Sequence, residues 1–97
     1  MAEKVIGIIG GMGPEAAARL FLCITRLTPV NRDQDHYRVV MDSNPKIPDR
    51  TAAIKGEGPS PVNAIVQAGK NLELLGANYS DHILRGDLID DRCFGIQ

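Results

Sequence analysis

The residues with the strongest claim to chemistry in this 97-residue sequence are Arg50 and Thr51, which follow Asp49 at the end of a segment stiffened by Pro45 and Pro48. A guanidinium presents a planar fork of donors that fits a carboxylate bidentately, and neighbouring prolines reduce the entropy lost in holding it ready. Pairing of Arg50 with Asp49 or Asp42 on the surface is the competing use of the same side chain. Asn44, just before Pro45, stands either as a turn former or as a ligand contact.

Gly11-Met12-Gly13-Pro14-Glu15-Ala16 is the second candidate. It fits the loose G-x-G-x-x-G/A pattern of dinucleotide-binding turns, follows an apolar run and opens a helical one. Asp42, the acidic residue that would hold a ribose, comes later than the ~20-residue spacing such sites use. A tight strand-to-helix turn needs the same glycines without any nucleotide. No G-x-x-x-x-G-K-[ST] phosphate loop occurs. Cys23 and Cys93 lie far apart, with neither a disulfide framework nor metal-ligand spacing, so no metal site is expected. Cys23, between Leu22 and Ile24, reads as a small buried hydrophobe. His36 beside Asp35 suits a hydrogen-bonded turn, and nothing in the spacing of His82 or Cys93 nominates a nucleophile–base pair.

These residues need a frame. Residues 5–9 form a short β-branched run ending at glycines, as in a strand buried on both faces of a parallel sheet. Pro14 and Glu15 suit the first turn of a helix, whose apolar face would be Ala17, Leu20, Phe21, Ile24 and Leu27, and which Thr28-Pro29 ends. Residues 37–41 read as a second strand near a sheet edge, because Arg38 interrupts it. Residues 43–51 read as a proline-stiffened loop. Gly56-Glu57-Gly58-Pro59 is a breaker, and Ser60-Pro61 starts a helix with Val62, Ile65, Val66, Gly69 and Leu72 on its apolar face and Gly76 at its end. This order calls for a third parallel strand beside the first. Ser80-Asp81-His82-Ile83-Leu84-Arg85 is polar where such a strand should be apolar.

Composition bounds the rest. Hydrophobic residues make up 43%, charged residues 24%, and the net charge is −1, which gives neither nucleic acid nor a membrane surface a basic footprint to bind. No run reaches the ~20 apolar residues of a spanning helix and no signal-peptide core is present, so a cytoplasmic location is expected. With aromatic residues at only 4%, the core has to be aliphatic.

Three segments then act together: Gly7-Ile8-Ile9-Gly10-Gly11-Met12-Gly13-Pro14-Glu15-Ala16, Asp42-Ser43-Asn44-Pro45-Lys46-Ile47-Pro48-Asp49-Arg50-Thr51, and Gly56-Glu57-Gly58-Pro59-Ser60-Pro61. In order and spacing they resemble the amino-terminal part of the aspartate/glutamate racemase family, over residues 1–78. The resemblance implies a cofactor-independent amino-acid racemase of two similar α/β halves with the active site between them. A thiolate on one face of the substrate would remove the Cα proton while a thiol on the other face returns one. Preorganised donors around the carboxylate would stabilise the developing carbanion.

Carried over position by position, the resemblance makes Arg50 and Thr51 substrate contacts and places Met12 and Asn44 on the pocket wall. The family's third strand runs into a Pro-Cys-Asn-Thr motif holding the first catalytic cysteine, where this chain has Ser80-Asp81-His82-Ile83-Leu84-Arg85. Cys93 comes too late and lacks the Asn-Thr context, so no catalytic residue is assigned.

The expectation is therefore a three-layer, Rossmann-like α/β domain with a parallel sheet, the incomplete first half of a two-domain racemase fold. Residues 1–78 would carry it, and residues 79–97 would form a non-matching tail. Such a chain would bind an acidic amino acid such as aspartate or glutamate, lack the acid/base pair as though truncated, and be inactive alone. An unfinished edge on the first strand would leave the tail poorly ordered or drive self-association. The rival readings are a non-catalytic module for a small dicarboxylate or a partner chain, and a small nucleotide-binding α/β domain.

Overall fold

The computed structural model describes residues 4–78 and 83–85. The elements, in chain order, are β1 (Val5–Gly10), α1 (Pro14–Leu27), a 3-10 turn at Asp33–Asp35, β2 (Arg38–Ser43), α2 (Arg50–Ile54), α3 (Val62–Leu74) and β3 (Ile83–Arg85). The strands form one parallel sheet in the order β2-β1-β3. Val5 pairs with Arg38 and Gly10 with Ser43 on one side of β1, while Gly7, Ile8 and Ile9 pair with Ile83, Leu84 and Arg85 on the other.

Because β1 is central, both of its faces must be covered, and the alternation of its side chains divides them between two helices. Val5 and Ile9 point to the α3 side and form the main apolar cluster with Ala68, Leu72 and Ala77, against which Val40 and Ile65 pack. Gly10 lies against α1, so close that an added Cβ would come within 2.6 Å of the Ala17 Cβ. Ile8 and Leu72 are the largest wholly buried side chains. The result is the expected helix–sheet–helix sandwich with an aliphatic core.

Local chemistry sets the element ends. Pro14 occupies the start of α1, with Glu15 in its first turn and Arg26 in its last, and the Thr28 hydroxyl and N–H both donate to the Ile24 carbonyl. α3 begins beside Ser60, whose Oγ accepts from the Val62 N–H at 3.2 Å. It ends in a Schellman turn: Gly76 at φ +101 lets the Ala77 N–H donate to the Leu72 carbonyl and its own N–H to that of Glu73. Ala77 and Leu72 are both buried, so the turn closes over apolar contact. On the surface Arg32 donates to Asp35, which raises the pKa of the guanidinium and lowers that of the carboxyl. The sign of that shift makes the pair a help above the ordinary carboxylate pKa of ~4 and lost on acidification, though exposure keeps it small.

Three features depart from the sequence reading. Each helix departs from its expected apolar face at two positions: on α1 Ala17 and Cys23 are buried as expected but Phe21 and Leu27 are exposed, and on α3 Gly69 and Leu72 are buried as expected, with Ala68 beside them, but Val62 and Val66 are exposed. Small residues decide this, because a helix approaches a sheet most closely on its Ala and Gly side. Residues 50–54 form a helical turn rather than loop, since Asp49 Oδ1 accepts from the Thr51 N–H at 3.0 Å and caps it. Finally, β3 is present beside β1, so the β1 edge is paired over Gly7–Ile9, where an open one was expected. Ser80, Asp81 and His82, whose polarity suggested the gap, lie outside the described residues, as does Cys93.

The buried face of α3 has a direct test. Leu72→Ala should cost about 3 kcal/mol in urea unfolding, a large part of the ~5–15 kcal/mol available to a small domain. Leu74→Ala, at a position 87% exposed, should stay within ~0.5 kcal/mol of the parent. Equal costs would mean that the helix packs through the other face.

Candidate functional site

At the carboxyl ends of β1 and β2 two turns are held against each other. Gly11, at φ +107, lies so close to Asn44 that a Cβ there would overlap the Asn44 backbone carbonyl. The Asn44 N–H donates to the Gly10 carbonyl at 3.2 Å, extending the β1–β2 ladder one step beyond the strands. Glycine is required at position 11 twice over, by its positive φ and by the absence of room.

The loop after β2 then folds on itself. Asn44 Oδ1 accepts from the Lys46 N–H at 2.9 Å in an Asx turn, and the Asn44 carbonyl accepts from the Ile47 N–H. Ile47 is buried and pins the loop to the body of the domain. Pro48 and the Asp49 cap then launch α2, so that Arg50 and Thr51 occupy its first turn. The peptide between Met12 and Gly13 is cis.

Between the glycine turn and this loop is a cleft of about 270 Å³ lined by Gly11, Met12, Gly13, Ile47, Pro48, Asp49, Arg50 and Thr51. Its size falls just below the ~300–1,000 Å³ typical of small-molecule sites, which suits a compact ligand better than a dinucleotide. Chemically it offers a guanidinium and a hydroxyl from the loop, the backbone of the glycine turn across from them, and apolar surface from Ile47 and Pro48. That set can grip and orient a carboxylate.

Of the residues singled out from sequence, Met12, Arg50 and Thr51 come together in this cleft. Asn44 shapes the loop through its Asx turn. Asp49 Oδ1 caps α2, and Asp42 Oδ2 accepts from Asn71 Nδ2 at 2.9 Å. Asn71 in turn accepts from Gln67 through Oδ1, so a short polar chain ties the end of β2 to α3. No local signal announces a bond between residues so far apart in sequence. Cys23 is a buried thiol on α1 and takes no part in the cleft. Among the described residues no group of His, Cys, Asp and Glu could hold a metal ion, and no helix is long and apolar enough to cross a membrane.

The fold and the cleft together define a partial α/β unit of the kind that carries its ligand at the carboxyl ends of parallel strands. Compared with solved structures, the chain superimposes on Picrophilus torridus aspartate racemase with a TM-score of 0.72 and 36% sequence identity, over 84% of this chain and 43% of that one. It thus spans less than half of that protein's length. The resemblance to the aspartate/glutamate racemase family, read from the glycine turn and the Pro48-Asp49-Arg50-Thr51 segment, holds in three dimensions as well. A scan against protein-family models finds no match.

Gly11→Ala should be the most damaging change in the turn. It adds a positive-φ penalty to a clash with backbone that cannot swing aside, at a cost of roughly 2–4 kcal/mol. The melting temperature should fall by about 10 °C or more. Gly13→Ala, whose added Cβ would meet nothing within 4 Å, should melt within a few degrees of the parent.

Proposed function

We propose that this chain is a racemase-like unit that recognises an acidic amino acid, aspartate or glutamate, through the carboxylate grip of Arg50 and Thr51. The observation that carries this reading is the convergence of Met12, Arg50 and Thr51 on one cleft at the strand ends, in a chain that superimposes on an aspartate racemase. The substrate carboxylate would lie against the Arg50 fork with the Thr51 hydroxyl beside it, and the walls from Ile47 and Pro48 would limit the water around it. Charge that develops next to that carboxylate as the Cα proton leaves is stabilised by the same donors.

Racemisation also needs a proton acceptor on one face of Cα and a donor on the other. Cys23 faces the domain interior, and the stretch aligned with the family's Pro-Cys-Asn-Thr motif has no cysteine. The chain by itself therefore provides recognition without the acid/base pair, and exchange of the Cα proton of aspartate in deuterated water should stay at the no-protein level. Exchange that is lost on Cys93→Ser would overturn this assignment. Binding is the positive test: titration with L- and D-aspartate should show saturable association that Arg50→Lys weakens roughly tenfold, because a point charge cannot reproduce the planar fork. Equal affinity in the Arg50→Lys variant, or preference for succinamide over aspartate, would remove the carboxylate grip.

A further inference from the structure

A second concave site lies on the α1 side of the sheet, away from the cleft. It is a groove of about 260 Å³ between Phe21 and Ile24 of α1, Tyr37 and Val39 at the start of β2, and Asp33 and His36 of the turn that joins them. None of these residues lines the cleft that holds Arg50. Aromatic side chains are scarce in this chain, two Phe and two Tyr in all, yet Phe21 and Tyr37 both line this groove and both are exposed. Neither belongs to the core cluster.

The charge of the groove follows from how its neighbours are engaged. Arg32 adjoins Asp33 in sequence, but its Nε and Nη2 donate to the two carboxylate oxygens of Asp35 at 3.1 and 2.9 Å. Val40 packs on the α3 side of the sheet, and strand alternation sends Arg38 to that side too, away from the groove. Asp33 enters no ion pair among the described residues. The His36 N–H donates to the Asp33 carbonyl at 3.1 Å, which closes the turn and keeps both residues on one rim. With His36 neutral at pH 7, the groove combines one negative charge, two aromatic rings and the aliphatic surface of Ile24 and Val39.

We propose that this groove is a second small-molecule site and that it takes a compact organic cation of the alkylammonium class. The cationic head stands between the Asp33 carboxylate and the Phe21 and Tyr37 rings, where carboxylate and ring quadrupoles attract it together. Its alkyl groups cover Ile24 and Val39 and leave water in doing so. An anion is repelled by Asp33, and a neutral molecule of the same shape keeps the apolar contact alone. The site shares no residue with the cleft and does not rest on the acidic-amino-acid reading.

The test is a titration of the isotope-labelled full chain, followed by amide chemical shifts, with choline and with its neutral isostere 3,3-dimethyl-1-butanol. Choline should saturate and shift the amides of Phe21, Ile24 and residues 33–39. The isostere should bind roughly tenfold more weakly, having lost both the carboxylate and the ring attraction. Asp33→Asn should weaken choline about three- to fivefold and leave the isostere unchanged. Tyr37→Leu should weaken choline about threefold, and Tyr37→Phe, which keeps a ring, should bind it as the parent does. If Tyr37→Leu does not fold, the exposed Asp33→Asn substitution decides. No saturation by tens of millimolar choline, equal binding of choline and the isostere, undiminished choline binding by Asp33→Asn, or shifts confined to the cleft residues would overturn the proposal.

Discussion

The contact on which the rest depends is the passage of the Gly11 backbone over that of Asn44. Two strand-to-helix connections leave the sheet side by side, and an ordinary side chain at position 11 would force them apart. With glycine there, the ladder between β1 and β2 continues to the Gly10–Asn44 bond, and the loop that follows is delivered to the glycine turn. The cleft is the space left between them. Asp49, Arg50 and Thr51 reach it because Ile47 anchors the loop and the Asp49 cap starts α2 at that point. The cleft is thus a by-product of backbone proximity.

Much of the architecture could be read from the chain because its signals are local. The β-branched run of β1, Pro14 at the head of α1, Thr28-Pro29 at its foot and Gly76 after α3 each act within one turn of the backbone, and all four stand where their chemistry puts them. The faces of the helices were less legible. Periodicity places Phe21 and Val66 on the same faces as Ala17 and Gly69, whereas the close approach of helix to sheet buries the small residues Ala17, Ala68 and Gly69 and leaves the two larger side chains at the margin. The polar sequence before Ile83 hid β3, since a strand only three residues long leaves little apolar pattern to find.

The candidate site shows the same division. Arg50 and Thr51 could be named because their chemistry is rare and proline rigidifies the segment that carries them. That they meet Met12 required the parallel register of β1 and β2, which follows from the crossover through α1. Asn44 was ambiguous between turn former and ligand contact, and its Asx turn settles how its side-chain oxygen is used. The Gln67–Asn71–Asp42 chain joins side chains on α3 to the end of β2, and such a bond exists only once the layers have packed.

The Schellman turn at the end of α3 has a consequence for assembly of the chain. Its two bonds and its apolar closure are made within residues 72–77 and need nothing from elsewhere. Parallel pairing, in contrast, cannot begin until a crossover has brought distant segments together, and that search is the slow entropic step of such topologies. A helix that finishes in a fixed reverse turn sets the direction in which the chain leaves it, with Ala77 already packed in the same cluster as Leu72. The segment leading to β3 therefore starts from an oriented anchor, and the shortest strand of the sheet gains from geometry what it lacks in length.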